Sequence, residues 1–225
     1  LDRFVDSGFN AIDTADVYSR WVPGNKGGES ETMIGNWLKA SPARRSQIVL
    51  ITKVGFAPAA DGRGLSTENI TTRVEDSLRR LQTDRIDLYL SHPPDPKTPI
   101  DETLRAYEGL VRSGKVRAIG SSNSTAAGLR DALDTAAAQK LPRYEVEQPE
   151  YNLCERKKFE GPLRKVCVAE GLGVIVYYSL ASGFLSGKYR EKADVEKKAR
   201  RNGVEKYLNE RGFRILAAVD EVAQA

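Results

Sequence analysis

Cysteine, histidine and methionine are scarce in this sequence, which has two cysteines, one histidine and one methionine among its 225 residues. Cys154 and Cys167 are too few for a disulfide framework or a thiolate metal site, so reduced thiols are the simpler interpretation. No apolar run approaches the roughly 18 residues that a membrane-spanning helix requires, and no signal-peptide pattern opens the chain. We therefore expect a cytoplasmic protein without a metal site or a membrane partner.

A broad surplus of one charge is also missing. The net charge is +4, and the segment from Lys188 to Arg214 holds ten Lys/Arg against five Asp/Glu, so the remainder is nearly neutral. A surplus this local does not indicate nucleic-acid binding, which needs a wide basic face and a recognisable reading motif. The segment is either a solvated loop with a polar helix face or the surroundings of a phosphate-bearing cofactor.

Short apolar segments alternate with amphipathic ones along the whole chain, which predicts alternating strands and helices. Strands are predicted to begin near Asn10, Ile48, Ile86, Val116, Tyr144 and Val174. Helices are predicted over Glu29–Lys39, Ser66–Gln82, Asp101–Arg112, Thr125–Gln139, Lys157–Glu170 and Phe213–Ala223. This alternation implies parallel strands joined by right-handed crossovers. No G-x-G-x-x-G motif follows any strand, which argues against a doubly wound dinucleotide-binding sheet.

We therefore predict an α/β fold, a (β/α)8 barrel with six of its eight strands in this chain and the first and last missing. Such barrels run to about 250 residues. The prediction is a single domain over residues 1–225, incomplete at both ends and part of a longer natural protein. In the first long helix, we expect one apolar face to carry Met33, Ile34, Trp37 and Leu38.

Polar or ionisable residues follow successive predicted strands. Asp13 ends the first strand, with Tyr18 in the loop beyond it; Lys53 ends the second and His92 the third, and the Ser122-Asn123 pair ends the fourth. The carboxyl ends of barrel strands meet at one mouth, where active sites are built. Individually, Asp13 could cap a turn, His92 could serve the structure of the His92-Pro93-Pro94 loop, and Ser122-Asn123 could cap the next helix.

Longer motifs surround these residues. They are Asp13-Thr14-Ala15-Asp16-Val17-Tyr18, Ile51-Thr52-Lys53-Val54-Gly55, Asp84 to His92, Gly114 to Asn123, Gln148-Pro149-Glu150-Tyr151-Asn152 and Tyr178 to Tyr189. Together, in this order, they resemble the aldo-keto reductases, and within them the aryl-alcohol-dehydrogenase-like group related to potassium-channel β subunits.

The resemblance implies a barrel that binds NADP(H) across its C-terminal mouth and a catalytic tetrad of Asp13, Tyr18, Lys53 and His92. It also implies cofactor contacts, with Ser122, Asn123 and Gln148 on the nicotinamide carboxamide, Tyr177 stacked on the ring, Leu180 and Ser182 at the pyrophosphate, and Lys188 near a phosphate. Trp21 lines the substrate pocket or packs at the surface, and the Gly55–Gly64 loop is interpreted as a substrate-side loop.

This chemistry explains the choice of residue types. Hydride transfer to a carbonyl leaves negative charge on the oxygen, so a proton donor must lie within hydrogen-bond reach. Tyrosine has an ordinary pKa near 10, which a neighbouring ammonium lowers by stabilising the phenolate. We expect an oxidoreductase acting on a small carbonyl or alcohol. The alternative is an NADP(H)-binding, redox-sensing subunit with little turnover.

Overall fold

The computed structural model describes residues 1–56, 64–195 and 201–225, without the side chains of residues 192, 195 and 201. It divides into two compact units, Leu1–Glu147 (unit 1) and Gln148–Ala225 (unit 2). Most of the predicted Gly55–Gly64 substrate-side loop and the middle of the basic segment lie outside the described residues. The assignment of residues 1–225 to one domain remains a prediction.

Unit 1 is built from parallel strands that are hydrogen-bonded in chain order, with helices between them. The strands are β1 (Ala11–Asp13), β2 (Val49–Val54), β3 (Ile86–Ser91), β4 (Val116–Ser122) and β5 (Tyr144–Gln148). Residue Ile51 pairs with Leu88, which pairs in turn with Ala118. All six residues of β3 are buried, as expected for a strand covered on both faces.

The helices of unit 1 are α1 (Asp2–Asp6), α2 (Glu29–Ala40), α3 (Thr67–Leu81), α4 (Ile100–Arg112) and α5 (Ala126–Gln139). Helix α3 has an N-terminal cap and a buried apolar face that follow directly from its sequence. Its N-cap Ser66 accepts a hydrogen bond from the Asn69 backbone N–H at 3.3 Å. Its apolar residues at helical spacing are buried, namely Ile70, Val74, Leu78 and Leu81.

The buried face of α2 differs from the predicted one. Met33 is 74% exposed, whereas Glu31, Ile34, Gly35 and Leu38 are buried. Glu31 is drawn inward because its carboxylate accepts hydrogen bonds from the Thr52 hydroxyl (2.6 Å) and Arg80 Nε (2.7 Å). Gly35 permits the close approach of α3, since a Cβ there would lie 2.1 Å from the Arg80 carbonyl oxygen. The expectation for Met33 was therefore wrong, because the helix turns a charged residue toward the sheet.

This arrangement makes Glu31 a strong determinant of stability. We expect Glu31→Ala to lower the free energy of unfolding by about 3 kcal/mol, because the change leaves Arg80 and Thr52 without their buried acceptor. Glu75→Ala is the matched control, since Glu75 pairs with Lys115 at the surface, and it should cost no more than about 1 kcal/mol. Urea unfolding of both variants measures the difference. Equal losses would contradict the buried role of Glu31.

Unit 2 contains β6 (Gly173–Val174), α6 (Pro162–Ala169), α7 (Arg201–Val204) and α8 (Glu210–Gln224). Strand β6 is shorter than the predicted strand from Val174 to Tyr177, although a parallel bridge joins Glu150 to Tyr177. Helix α6 begins at Pro162 rather than Lys157, because Gly161 adopts a left-handed φ of 102° and the proline takes the first helical position. Helix α8 begins earlier than predicted, at a cap where Asn209 accepts from the Gly212 N–H.

The core of unit 2 packs α8 against the segment after β6. Phe184 is fully buried and stacks on Tyr207 with ring centroids 5.5 Å apart, and Leu216 of α8 closes the cluster. Within the described ranges no helix is long and apolar enough to cross a membrane. The six strands alternate with helices along the chain in the order of a (β/α)8 barrel, of which they form a part.

Candidate active site

Lys53 is the centre of a hydrogen-bonded cluster in unit 1. It lies near the carboxyl end of β2 and is completely buried. Its Nζ donates to Asp13 Oδ1 at 2.7 Å and to the Thr14 carbonyl oxygen at 2.7 Å, and it lies 3.1 Å from Tyr18 Oη. The ammonium also lies 4.7 Å from the centroid of the Tyr18 ring. Three of the four predicted tetrad residues therefore meet at one point.

The charge of this cluster is balanced between burial and pairing. Burial lowers the pKa of Lys53 from its ordinary value, while the negative charge of Asp13 and the hydrogen bond to it act in the opposite direction. The Asp13 side chain keeps 31% of its surface exposed, against 1% for Lys53. The lysine is thus the desolvated partner, and Asp13 is the counter-ion through which water reaches the pair. Asp13 acts as a counter-ion here, in addition to any role in the turn.

His92 follows β3, and its backbone N–H donates to the Val54 carbonyl oxygen at 2.7 Å. Burial, and secondarily the charge of Lys53, lower the pKa of His92 to about 4. The imidazole is therefore neutral at physiological pH, as expected beside an ammonium. Nδ1 is buried and finds no hydrogen-bond partner in the described part of the chain. Because a buried donor without an acceptor is the costlier arrangement, we assign the proton to Nε2.

Two aromatic side chains flank these residues. Trp21 meets the Tyr18 ring edge-on at a centroid distance of 5.9 Å and is 73% exposed. Phe56 lies 5.7 Å from the His92 ring and is 52% exposed. The pocket role of Trp21 stays a prediction, since a side chain this exposed also suits the surface alternative. Phe56 was not singled out in the sequence.

The Ser122-Asn123 pair ends β4 but does not cap α5. The cap is Thr125, whose hydroxyl accepts from the Gly128 N–H at 3.0 Å, so the capping alternative was wrong. Asn123 instead adopts a left-handed φ of 65°, and its amide donates to Ser122 Oγ at 3.2 Å. Ser122 is thus the last residue of β4, and Asn123 is the first residue after it, outside α5.

Glu147 holds that loop in place and was missed in the sequence. It is completely buried, accepts from Ser121 Oγ at 2.5 Å and from the Ser124 backbone N–H at 3.0 Å, and has a pKa raised by burial. The available signal was the alternation of Tyr144, Glu145, Val146 and Glu147, which does not distinguish a buried acid from an exposed one. Its carboxylate acts on the backbone around Ser122 and Asn123, rather than at the tetrad.

The remaining predicted cofactor residues belong to unit 2. Gln148 is buried at the end of β5, and Tyr177 meets Tyr178 edge-on. Leu180 is 58% exposed, while Ser182 is buried in a left-handed turn that continues through Gly183. A separate observation concerns Lys188. A Cβ atom at Gly183 would lie 3.5 Å from its Nζ, so the ammonium lies against this turn.

The described residues contain no group of three or more His, Cys, Asp or Glu that could hold a metal ion. The acids that lie nearest the tetrad are engaged differently. Glu31 pairs with Arg80, and Asp16 lies in the loop between Asp13 and Tyr18. Sequence patterns did not single out either residue, because each reads as an ordinary charged position in a loop or on a helix.

The sequence is 40% identical over 195 residues to the uncharacterized oxidoreductase YrpG of Bacillus subtilis, covering 84% of this chain and 58% of the relative. It is 35% identical over 189 residues to a probable voltage-gated potassium channel subunit beta of Arabidopsis thaliana, covering 84% of this chain and 56% of that relative. A putative subunit of the same kind from Schizosaccharomyces pombe is 34% identical over 194 residues, with coverages of 85% and 54%.

The chain therefore spans about half the length of the curated relatives that it matches. The sequence profile of the Aldo/keto reductase family matches residues 1–225, the whole of the sequence. This chain belongs to the aldo/keto reductase family.

Proposed function

We propose that this protein is an NADP(H)-dependent oxidoreductase that interconverts an aldehyde or ketone and the corresponding alcohol, with Tyr18 as the proton donor. The observation that carries the proposal is the Lys53 ammonium, which contacts the Asp13 carboxylate and the Tyr18 hydroxyl at once. Burying the Lys53 ammonium costs desolvation free energy. An ammonium next to a phenol stabilises the phenolate, which is the role that we propose for Lys53.

Each tetrad residue has a distinct task in the proposed reduction. Tyr18 gives its hydroxyl proton to the carbonyl oxygen as negative charge develops there. Lys53, 3.1 Å from the phenol oxygen, stabilises the phenolate that remains. Asp13 keeps the lysine oriented and compensates its charge. Neutral His92 donates from Nε2 to the same carbonyl oxygen, which orients the substrate and stabilises its developing charge.

The residues available for a dinucleotide fit the group chemically. When bound, the reduced nicotinamide supplies the hydride, and the protein supplies position and electrostatics. We propose that Ser122, Asn123 and Gln148 hydrogen-bond the carboxamide and that Tyr177 stacks on the ring. Leu180 and Ser182 would contact the pyrophosphate. The Lys188 ammonium beside the left-handed turn at Gly183 is a donor set suited to a phosphate.

A direct assay tests the proposal. We expect the wild-type protein to oxidise NADPH in the presence of aromatic and aliphatic aldehydes, with a turnover number on the order of 1 s⁻¹ or higher for the best substrate. The reaction is monitored by the absorbance of the reduced nicotinamide. A parallel assay with NADH instead of NADPH tests the cofactor preference. Absence of turnover over the whole aldehyde panel would contradict the enzyme assignment.

The second candidate function is a redox-sensing subunit that binds NADP(H) and turns over slowly. It is favoured by the two relatives named as potassium channel β subunits, at 35% and 34% identity. Tight NADPH binding, seen as a change in nicotinamide fluorescence, together with negligible aldehyde reduction would favour the sensor over the enzyme.

A further inference from the structure

Asp16 is a half-buried acid that the proposed mechanism does not use. It lies in the loop between Asp13 and Tyr18, and its backbone N–H donates to the Lys53 carbonyl oxygen at 3.4 Å. Its side-chain Oδ1 is buried and accepts no hydrogen bond from the described residues. A carboxylate oxygen without a donor is an expensive arrangement away from water, so this position calls for a physical reason.

Charged and titratable side chains on α2, α3, α4, β2 and β3 interact electrostatically with Asp16. Glu31 contributes a negative charge from α2, and Arg73 and Arg80 contribute positive charges from α3. The charge of Asp16 acts to raise the pKa of Lys53 on β2, and it acts in the same direction on the hydroxyls of Tyr89 on β3 and Tyr107 on α4. This group of side chains has three cations, the lysine and the two arginines, and two anions, Asp13 and Glu31. Its net charge is therefore +1 when Asp16 is neutral and zero when Asp16 is ionised.

The same surroundings place the titration of Asp16 in the physiological range. Burial, and secondarily the charge of Glu31, raise the pKa of Asp16 to about 7, while the charges of Arg73 and Arg80 and a hydrogen bond from the Val17 backbone N–H act in the opposite direction. Asp16 in turn is one of the charges that raise the pKa of Lys53 against its burial. The ionisation of Asp16 therefore acts on the protonation of Lys53.

We propose that Asp16 is a positioning residue for Lys53, a second and reversible counter-charge that determines how firmly the lysine keeps its proton beside Tyr18. This inference rests on the proposed function for its effect on catalysis, but its effect on Lys53 is independent of any turnover. Asp13 is the permanent, hydrogen-bonded counter-ion. Asp16 is the adjustable one, neutral in mild acid and charged in mild base.

The charge of Asp16 should extend the alkaline range of the enzyme. As the pH rises, activity is lost when the Lys53 ammonium gives up its proton, because the phenolate of Tyr18 then has no cation beside it. Ionised Asp16 opposes that loss. In Asp16→Asn, which keeps the shape and removes the charge, we expect the alkaline limb of the kcat/KM profile to move down by about one pH unit.

The titration of Lys53 itself is the direct measurement. With lysine carrying ¹³C at Cε, the Lys53 signal, assigned by its loss in Lys53→Met, reports the protonation of Nζ by NMR. We expect its midpoint to fall by about one pH unit in Asp16→Asn. Asp87→Asn is the matched control, since Asp87 is a buried acid, held by Arg45, Arg117 and the Leu50 N–H. That control should leave the Lys53 midpoint in place.

The outcomes separate this inference from the proposed function. A lowered Lys53 midpoint with a parallel shift of the alkaline limb supports it, and an unchanged midpoint overturns it. A lowered midpoint in a protein without reductase turnover supports the action of Asp16 on Lys53 and overturns the reductase proposal alone. If Asp16→Asn fails to fold, the wild-type signal decides. Ionisation of Asp16 must displace that signal between about pH 6 and 8, and a flat signal there overturns the inference.

Discussion

The Tyr18→Phe variant is expected to reduce aldehydes about 10³-fold more slowly than the wild-type protein, with its affinity for NADPH unchanged. The substitution removes one hydroxyl and keeps the ring. The edge-on contact with Trp21 at 5.9 Å and the position of the Lys53 ammonium 4.7 Å from the ring centroid do not need that hydroxyl. Lys53 retains Asp13 and Thr14 as acceptors. The loss should therefore appear in kcat and not in stability.

Tyr151→Phe is the control for this experiment. The Tyr151 hydroxyl also contacts a charged partner, donating to Glu160 at 2.7 Å, but it has no place in the proposed proton transfer. Steady-state NADPH oxidation and a fluorescence titration with NADPH measure turnover and binding separately. If Tyr18→Phe keeps turnover within about twofold of the Tyr151→Phe value, Tyr18 is not the general acid.

The Lys53→Met variant is expected to lose turnover by a similar factor, about 10² to 10⁴, for a different reason. Methionine fills the volume of the aliphatic stem and carries no charge. The phenolate of Tyr18 then forms without a cation beside it, in a site where Lys53 is completely buried and water cannot replace the charge. Product binding should remain, because the lysine acts on the proton donor.

Stability provides the second readout for Lys53→Met. Removing one partner of a buried ion pair typically costs roughly 3–5 kcal/mol. Here the cost should be smaller, because the Asp13 side chain is 31% exposed and can be hydrated when its partner is gone. Lys115→Met, at a surface pair with Glu75, is the control and should leave turnover intact. A folded Lys53→Met protein with full turnover would remove the basis of the proposed mechanism.

The convergence at Lys53 was predictable from the sequence because parallel strands impose it. Asp13 and Lys53 stand near the carboxyl ends of β1 and β2, which pair directly, with Asp13 opposite Ile51. His92 follows the next strand in the sheet. Once the strands were identified, their ends had to meet at one edge. Local pattern and global topology agree there, so little further information was needed.

The buried charges behind the site were not predictable in the same way. Glu31 and Arg80 lie on helices whose spacing marks them as solvent-facing, and only the three-dimensional packing of α2 on α3 makes them partners. Met33 was misplaced for the same reason, since inward rotation of Glu31 carries the methionine outward. The cap of α5 is Thr125 rather than Ser122-Asn123, because Ser122 still belongs to β4 and Asn123 adopts a left-handed φ.

The boundaries in unit 2 show a third limit. Strand β6 covers only Gly173–Val174, although the apolar pattern continues to Tyr177, where a single bridge to Glu150 forms. The left-handed residues Tyr178, Ala181 and Ser182 then divert the backbone. Non-glycine residues in that conformation leave no reliable mark in sequence, so the turn could be inferred only from resemblance to the family.

All four proposed tetrad residues lie within Leu1–Glu147, whereas Tyr177, Leu180, Ser182 and Lys188 lie in the other compact unit. This distribution has a genetic consequence. Alleles that abolish turnover and still bind nucleotide should map to the first unit, and no single substitution in the second unit can remove the proton donor or its counter-ions. Recombination between homologues at the Glu147–Gln148 boundary would thus keep the proposed tetrad together, but it would separate Ser122 and Asn123 from the other proposed cofactor residues.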